Sequence, residues 1–315
     1  MSRDESQSAP VLFHSPELHR GRAPVRWRPG LRFALVLWLV PGHAACQAPK
    51  AVALQGGAAE AIRKGIETGK GAIHHGAFDR VLRMHALEMG RRFDYRGLKK
   101  HPEDLDLYLE EIGKARLADL GRDELAALLV NAYNAYTIQS ILETLTPARP
   151  EGVKSIRDIP GVFDNPTHRV GGFDLSLNNI EHNLLRPLFK DPRIHFVVNC
   201  ASISCPPLPS EALKGGQLES QLEYAARGVL SSPDYVRIED GKLKVAKLLE
   251  WYGSDFVTPG FHGAEASLPA YLRKYASDEV ARFIDSAGGS PPLSYLDYDW
   301  SLNRSTKIPL QDQPF

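Results

Sequence analysis

The stretch "RDELAALLVNAYNAYTIQSILETL", Arg122 to Leu145, constrains this chain more than any other. Leu125, Leu128, Leu129, Ala132, Ala135, Tyr136 and Ile138 recur at three- and four-residue spacing and cover one wide face, the pattern of a helix buried over much of its circumference. Such a helix is a scaffold that other elements surround. The composition allows it, because 315 residues with 43% hydrophobic and 24% charged content bury a sizeable core. Basic and acidic residues balance at 38 each, so no global field draws the chain to nucleic acid or to an anionic membrane.

Around this helix, helical and extended patterns alternate. "AAEAIRKGIETGK" and "DLDLYLEEIGKARLADL" read as helices before it, and "GQLESQLEYAARGVL" and "SLPAYLRKYASDEVARFIDSA" as helices after it. "HRVGGFDLS", His168 to Ser176, and "YVRIEDGKLKVAK", turning at Asp240-Gly241, read as hairpins. Ser176 is placed to cap the helix "LNNIEHNLLRPLF", which Pro187 is expected to end or kink. "IHFVVN", Ile194 to Asn199, is an apolar β-rich run with the pattern of a central strand, and "LSYLDYDWSLN" reads as extended. Helices come first and hairpin-linked strands later. That order gives an α+β fold with N-terminal helices packed on a mostly antiparallel sheet.

The N-terminus reads as an address. Leu18 to Ala59 contains no Asp or Glu, and Arg20, Arg22, Arg26, Arg28 and Arg32 precede the apolar run Phe33 to Val40, followed by "GHAACQA". Basic, apolar, then small residues is the order of a secretory signal, and the run is too short for a permanent transmembrane helix, which needs about 20 apolar residues. Residues 1–57 are therefore assigned as a targeting segment and residues 58–315 as a single domain, exported to the periplasm or anchored facing it. Cys46 stands where a lipid anchor would be attached, although His43 departs from the aliphatic pattern of a lipoprotein box.

Four blocks carry a family resemblance: "NAYNAYT" from Asn131, "LNNIEHNLLR" from Leu177, "DPRIHFVVNCASISCPPL" from Asp191 and "LDYDWSLN" from Leu296. In this order they resemble the domain of unknown function 547 family, from about Ala77 to the C-terminus. The resemblance implies little chemistry. Some members are similar to papain-like or transglutaminase-like thiol enzymes, and the fold is expected to follow that analogy. The family pattern keeps a cysteine at Cys200 and allows serine at Cys205.

A cysteine attacks as thiolate and needs exposure together with a group that lowers its pKa. Cys200, directly after the "IHFVVN" run, is the expected nucleophile. His182 is the expected base, beside Glu181 on the preceding helix. Asn131, Asn134, Asn199 or Asp299 is a candidate to orient its ring, and Glu181 has Arg186 as an alternative partner. His195, five positions from Cys200, would face the other side of a regular strand, and it and Cys205 are the alternative functional residues. The "CASIS" backbone is a candidate oxyanion site. Pro206 and Pro207 are expected to hold Cys205 beyond the Cα separation of about 7 Å at which bridging fails.

These residues imply a thiol-dependent hydrolase or acyl transferase acting on an amide, thioester or peptide-like substrate, with no cofactor and no metal. The other reading is a non-catalytic module that binds a small thiol or peptide and uses its Cys and His structurally. Phosphate-loop, dinucleotide, zincin and serine-elbow motifs are absent from the sequence. Cys200 and Cys205 lie at the edge of zinc-knuckle spacing and lack a second tight pair. His74-His75 reads as an exposed loop pair.

Overall fold

The computed structural model describes residue 54 and residues 56–305. Cys46, the expected anchor position, and nearly all of the segment expected to target the chain lie outside the described residues. The helix expected as scaffold runs Arg122–Thr144, and its residues from Leu125 to Ile138 are buried without exception. Asp123 and Glu124 in its first turn complement the positive end of the helix dipole. Small residues at Ala126, Ala127, Ala132 and Ala135 let neighbours approach it closely.

Numbering in chain order, α1 is Ala58–Thr68, α2 Gly76–His85, α3 Tyr95–Lys100, α4 Glu103–Gly113 and α5 the scaffold. Helices α1, α3 and α4 pack directly on α5. The next helix opens as a π-helical segment, Asn179–Leu185, and tightens into α6, Arg186–Phe189. Ser176 caps it as expected, its Oγ accepting the Asn179 N–H at 3.0 Å while Asn179 Oδ1 accepts the Ser176 N–H at 3.1 Å. Pro187 neither ends nor breaks this helix, which continues to Phe189. The widened turn directly before it coincides with the position where proline would otherwise crowd a regular α-turn.

After α6 come α7 (Leu218–Leu230), α8 (Leu248–Trp251), α9 (Gly253–Val257), α10 (Leu268–Arg273) and α11 (Asp278–Ser286). Ser267 and Ser277 cap the last two, so the single helical stretch expected there is two helices. The strands are short: β1 (Ala86–Leu87) with β2 (Arg92–Phe93), β3 (His168–Val170) with β4 (Phe173–Leu175), and β5 (Val236–Glu239), β6 (Lys242–Val245) and β7 (Leu293–Tyr295). Both expected hairpins form. The second turns through Asp240 and Gly241 with φ of 53° and 67°, the paired positive values of a tight hairpin turn. Between the named strands, pairing is antiparallel except for β6 with β7. The fold is α+β, with helices gathered around α5 and the small sheets set around them.

"IHFVVN" is not a strand. Asp191 caps a 3₁₀ helix over Pro192–Phe196, and Val197 to Cys200 follow without a strand partner. An aspartate cap followed by proline at the first helical position starts a helix more strongly than an apolar run starts a strand. Arg193 is fully buried here, bonded through its guanidinium to Asp191 and Glu219 at 2.7–3.0 Å. Ile194 and Val197 join the apolar core around α5, whereas Phe196 joins a second core under β5–β7 and α8–α11. The segment is a seam between the two.

The first hairpin carries a testable charge effect. His168 is buried, its ring stacks on Tyr136 with centroids 4.5 Å apart, and its Nε2 has no protein partner. Burial lowers its pKa to about 4. Between pH 6.5 and pH 4 the unfolded chain binds a proton that the folded chain refuses, so stability falls on acidification across that window. The loss is up to about 3 kcal/mol at 1.36 kcal/mol per pH unit. His168→Phe should remove that part of the slope in urea midpoints measured from pH 7 to pH 4, and an unchanged slope would refute the assignment.

Candidate active site

Cys200 lies in a loop that the fold holds from three sides. Asn134, buried in α5, accepts the Asn199 N–H on its Oδ1 at 2.9 Å and donates through Nδ2 to the Val197 carbonyl at 2.8 Å. One side-chain amide thus does for residues 197–199 what a neighbouring strand would do. Asn199 accepts the Ala201 N–H at 2.8 Å and donates to the Pro206 carbonyl at 2.7 Å, closing the loop across its own neck. The third side is the C-terminal block. Ile203 donates to Ser301 O at 2.9 Å, Asn303 to Ala201 O at 3.0 Å, and Asp299 N–H to Ser204 Oγ at 2.8 Å. Ala201 sits at φ 60°, a left-handed conformation that costs a non-glycine residue on the order of 1 kcal/mol and persists only where surrounding contacts impose it.

The two thiols are joined. Cys200 and Cys205 form a disulfide with Cα atoms 6.3 Å apart, which corrects the expectation that the prolines keep them separate. The stiffness of Pro206-Pro207 acts the other way, because the Asn199 clamp on Pro206 fixes the loop with both sulfurs facing. Cys200 is half-buried and Cys205 only 6% exposed. The Tyr298 hydroxyl is 3.2 Å from each sulfur and accepts a hydrogen bond from buried Ser202 at 2.8 Å. Trp251 and Trp300 flank Tyr298, with ring centroids 4.8 and 4.6 Å away.

The expected oxyanion donors are engaged in this bridged state. The N–H groups of Cys200, Ala201, Ile203, Ser204 and Cys205 all have acceptors, that of Cys200 being Cys205 Sγ at 3.0 Å.

The histidines belong to a second, buried polar cluster. Glu181 Oε1 is 3.9 Å from Nδ1 of both His182 and His195. Burial, with the Glu181 charge adding to it, drives the pKa values of Tyr133 and Tyr252 well above normal. His195 stacks on Tyr252 at 4.2 Å, and its Nε2 is 2.9 Å from Asp255. Arg186 grips the same carboxylate at 2.7 and 2.8 Å. Burial alone would raise the Asp255 carboxyl; the bonds from His195 and Arg186 override it and hold it well below the usual range. His182, with a side chain 3% exposed, is lowered by burial. Its Nδ1 is 3.3 Å from Arg186, and its Nε2 has no protein partner. Glu181 therefore has both histidines and Arg186 around it, where the sequence left these partners as alternatives.

Other expected residues work elsewhere. Asn131 pairs with the backbone of Leu213 at 2.8 and 2.9 Å and orients His75, not His182. Asp299 bonds Ser204 and Ser301 at the loop. His74 is exposed as expected, but His75 is buried between Tyr108 at 2.8 Å and Glu124 at 3.1 Å, because α2 begins at the next residue and turns its ring inward. Among the described residues no group of three or more His, Cys, Asp or Glu is arranged to hold a metal ion, nor is any helix long and apolar enough to cross a membrane.

Sequence reasoning missed Asp255, Tyr252, Trp251, Ser202 and Tyr298. Tyr298 lay inside a quoted block without a role, and Asp255 was legible only as an acid amid the apolar residues of "WYGSDFV". Residues 117–229 match the family described as "Protein of unknown function, DUF547". The match covers α5, the π segment and the cysteine loop, and leaves Tyr252, Asp255 and Tyr298 outside. No curated protein and no solved structure matches the chain.

Proposed function

Residues 117–229 match the family model described as "Protein of unknown function, DUF547", and on that premise we propose that the chain is an exported thiol-dependent hydrolase or acyl transferase. Its substrate is an amide, thioester or peptide-like carbonyl compound, and its bridged form is a resting state. One observation carries the reading: consecutive residues connect the sulfurs to the histidines. Trp251 packs on Tyr298, which touches both sulfurs, and Tyr252 packs 6.0 Å from His182 and 4.2 Å from His195. With the bridge reduced, Cys200 attacks the carbonyl and His182, kept neutral by burial, is the base. Arg186 can only donate to Nδ1, so for Nε2 to take and return the proton the ring must leave that contact and carry its own proton on Nδ1, toward Glu181. Glu181, whose Oε1 is 3.9 Å from Nδ1, is the group that favours this Nδ1–H tautomer. The Cys200 N–H, released from Cys205, becomes an oxyanion donor. A disulfide suits the oxidising compartment that the N-terminal segment implies, and a mature chain starting between Ala45 and Pro49, or lipidated at Cys46, is the form expected there.

The test uses the reduced protein and a panel of aryl thioesters. An acyl adduct should appear on Cys200 by peptide mass mapping and be absent from Cys200→Ala. His182→Ala should slow iodoacetamide alkylation of Cys200 at pH 7 by about tenfold, as the thiol returns toward its free pKa near 8.5. His195→Ala should cost more stability and less reactivity. Absence of any adduct would favour the second reading, a binding module, which draws support from the closed bridge and from the aromatic side chains Trp251, Tyr298 and Trp300 beside it.

A further inference from the structure

The bridge is asymmetric in access and in hydrogen bonding. Cys200 is the more accessible sulfur; Cys205 is buried. A bridged sulfur carries no hydrogen, so at 3.2 Å the Tyr298 phenol is the donor to the pair, while its own oxygen accepts from Ser202. Cys205 Sγ also accepts the Cys200 backbone N–H at 3.0 Å. In thiol–disulfide exchange the favoured leaving sulfur is the one whose thiolate is better stabilised, and the attacked sulfur is the one a reagent can reach. Both criteria assign the same roles: Cys200 is attacked and Cys205 leaves.

We propose that Cys200–Cys205 is a redox-active pair that exchanges with external thiols. A thiolate RS⁻ attacks Cys200 Sγ, forming the mixed disulfide R–S–S–Cys200. The Cys200–Cys205 bond breaks and its electron pair passes to Cys205, a thiolate held by the Cys200 N–H and the Tyr298 hydroxyl until it takes a solvent proton. A second RS⁻ attacks the R sulfur, releasing Cys200 as thiolate and RSSR. Two electrons thus pass from two thiols to the pair, and the reverse sequence returns them. The Cys200 N–H, which reaches Cys205 alone, selects the leaving sulfur, and Tyr298, 3.2 Å from both, adds to the stabilisation of its thiolate. This activity stands apart from the carbonyl chemistry above, since it needs no acyl substrate and would persist in a chain whose reduced Cys200 acylates nothing.

The experiment equilibrates the mature protein with glutathione buffers of graded ratio, quenches with an alkylating agent and reads mass. A reversible two-electron transition is expected. Cys205→Ser should accumulate one glutathione on Cys200, and Cys200→Ser, which leaves the buried thiol, should react with oxidised glutathione at least about tenfold more slowly. Tyr298→Phe should open about tenfold more slowly, as expected for loss of one hydrogen bond to a developing thiolate. A bridge that resists millimolar glutathione until urea unfolds the chain would overturn the proposal. So would a mixed disulfide found on Cys205 in the wild type.

Discussion

Asp255→Ala should lower the free energy of unfolding by about 3–5 kcal/mol at pH 7, the cost of removing one member of a buried, hydrogen-bonded ion network. The substitution leaves Arg186 Nε and Nη2 and His195 Nε2 facing an empty space, because all three meet this one carboxylate at 2.7–2.9 Å. Asp255→Asn should cost less, since the amide oxygen keeps one acceptor and the volume is unchanged. The pH dependence follows from the depressed pKa of Asp255. A group held below its unfolded value near 3.9 contributes stability that is fully present above that pH and lost as pH falls toward the folded value. The gap between wild type and Asp255→Asn should therefore shrink below about pH 4. Urea titrations at pH 7 and pH 3 check this, and a difference at pH 7 within 1 kcal/mol for the alanine variant would mean that the network contributes little to stability.

Asn134→Ala should cost about 4 kcal/mol, because it strands two buried backbone groups at once, each worth roughly 1–3 kcal/mol when unsatisfied. The groups are the Asn199 N–H and the Val197 carbonyl, which flank the cysteine loop. Loss of the clamp should also speed reduction of the Cys200–Cys205 bridge. Asn131→Ala is the control. It removes a comparable pair of bonds to Leu213, away from the sulfurs, and should lower the thermal midpoint without changing the reduction rate. Equal reduction rates in the two variants would show that the loop keeps its shape without Asn134.

The scaffold helix was legible because its apolar spacing repeats over many turns, and the second hairpin because Asp240-Gly241 supplies the turn chemistry directly. The "IHFVVN" segment was misread since a short apolar β-branched run has no periodicity that separates a strand from any other buried segment. What decided it was Asp191-Pro192 ahead of it and an amide projecting from α5, more than sixty residues away. Cys200, His182, His195 and Glu181 could be named from residue type and block position. Their division into a sulfur loop and an ionic cluster could not, because Tyr298, Trp251, Tyr252 and Asp255 come from the last third of the chain. Tertiary proximity across such separations leaves no local trace in sequence.

The pairing of the cysteine loop with residues 299–303 also bears on the order of events in synthesis. Tyr298 and Ser202 are 96 positions apart, and Tyr95 reaches Asn303 across 208. A growing chain that has released both cysteines and the whole of α5 still lacks the phenol and the strand-like block that shape their loop. Contacts of such long sequence separation close late, after local helices have formed. The thiols therefore emerge from the ribosome well before their pocket exists, and any oxidant they meet in that interval acts on an open loop with no preference between the two sulfurs.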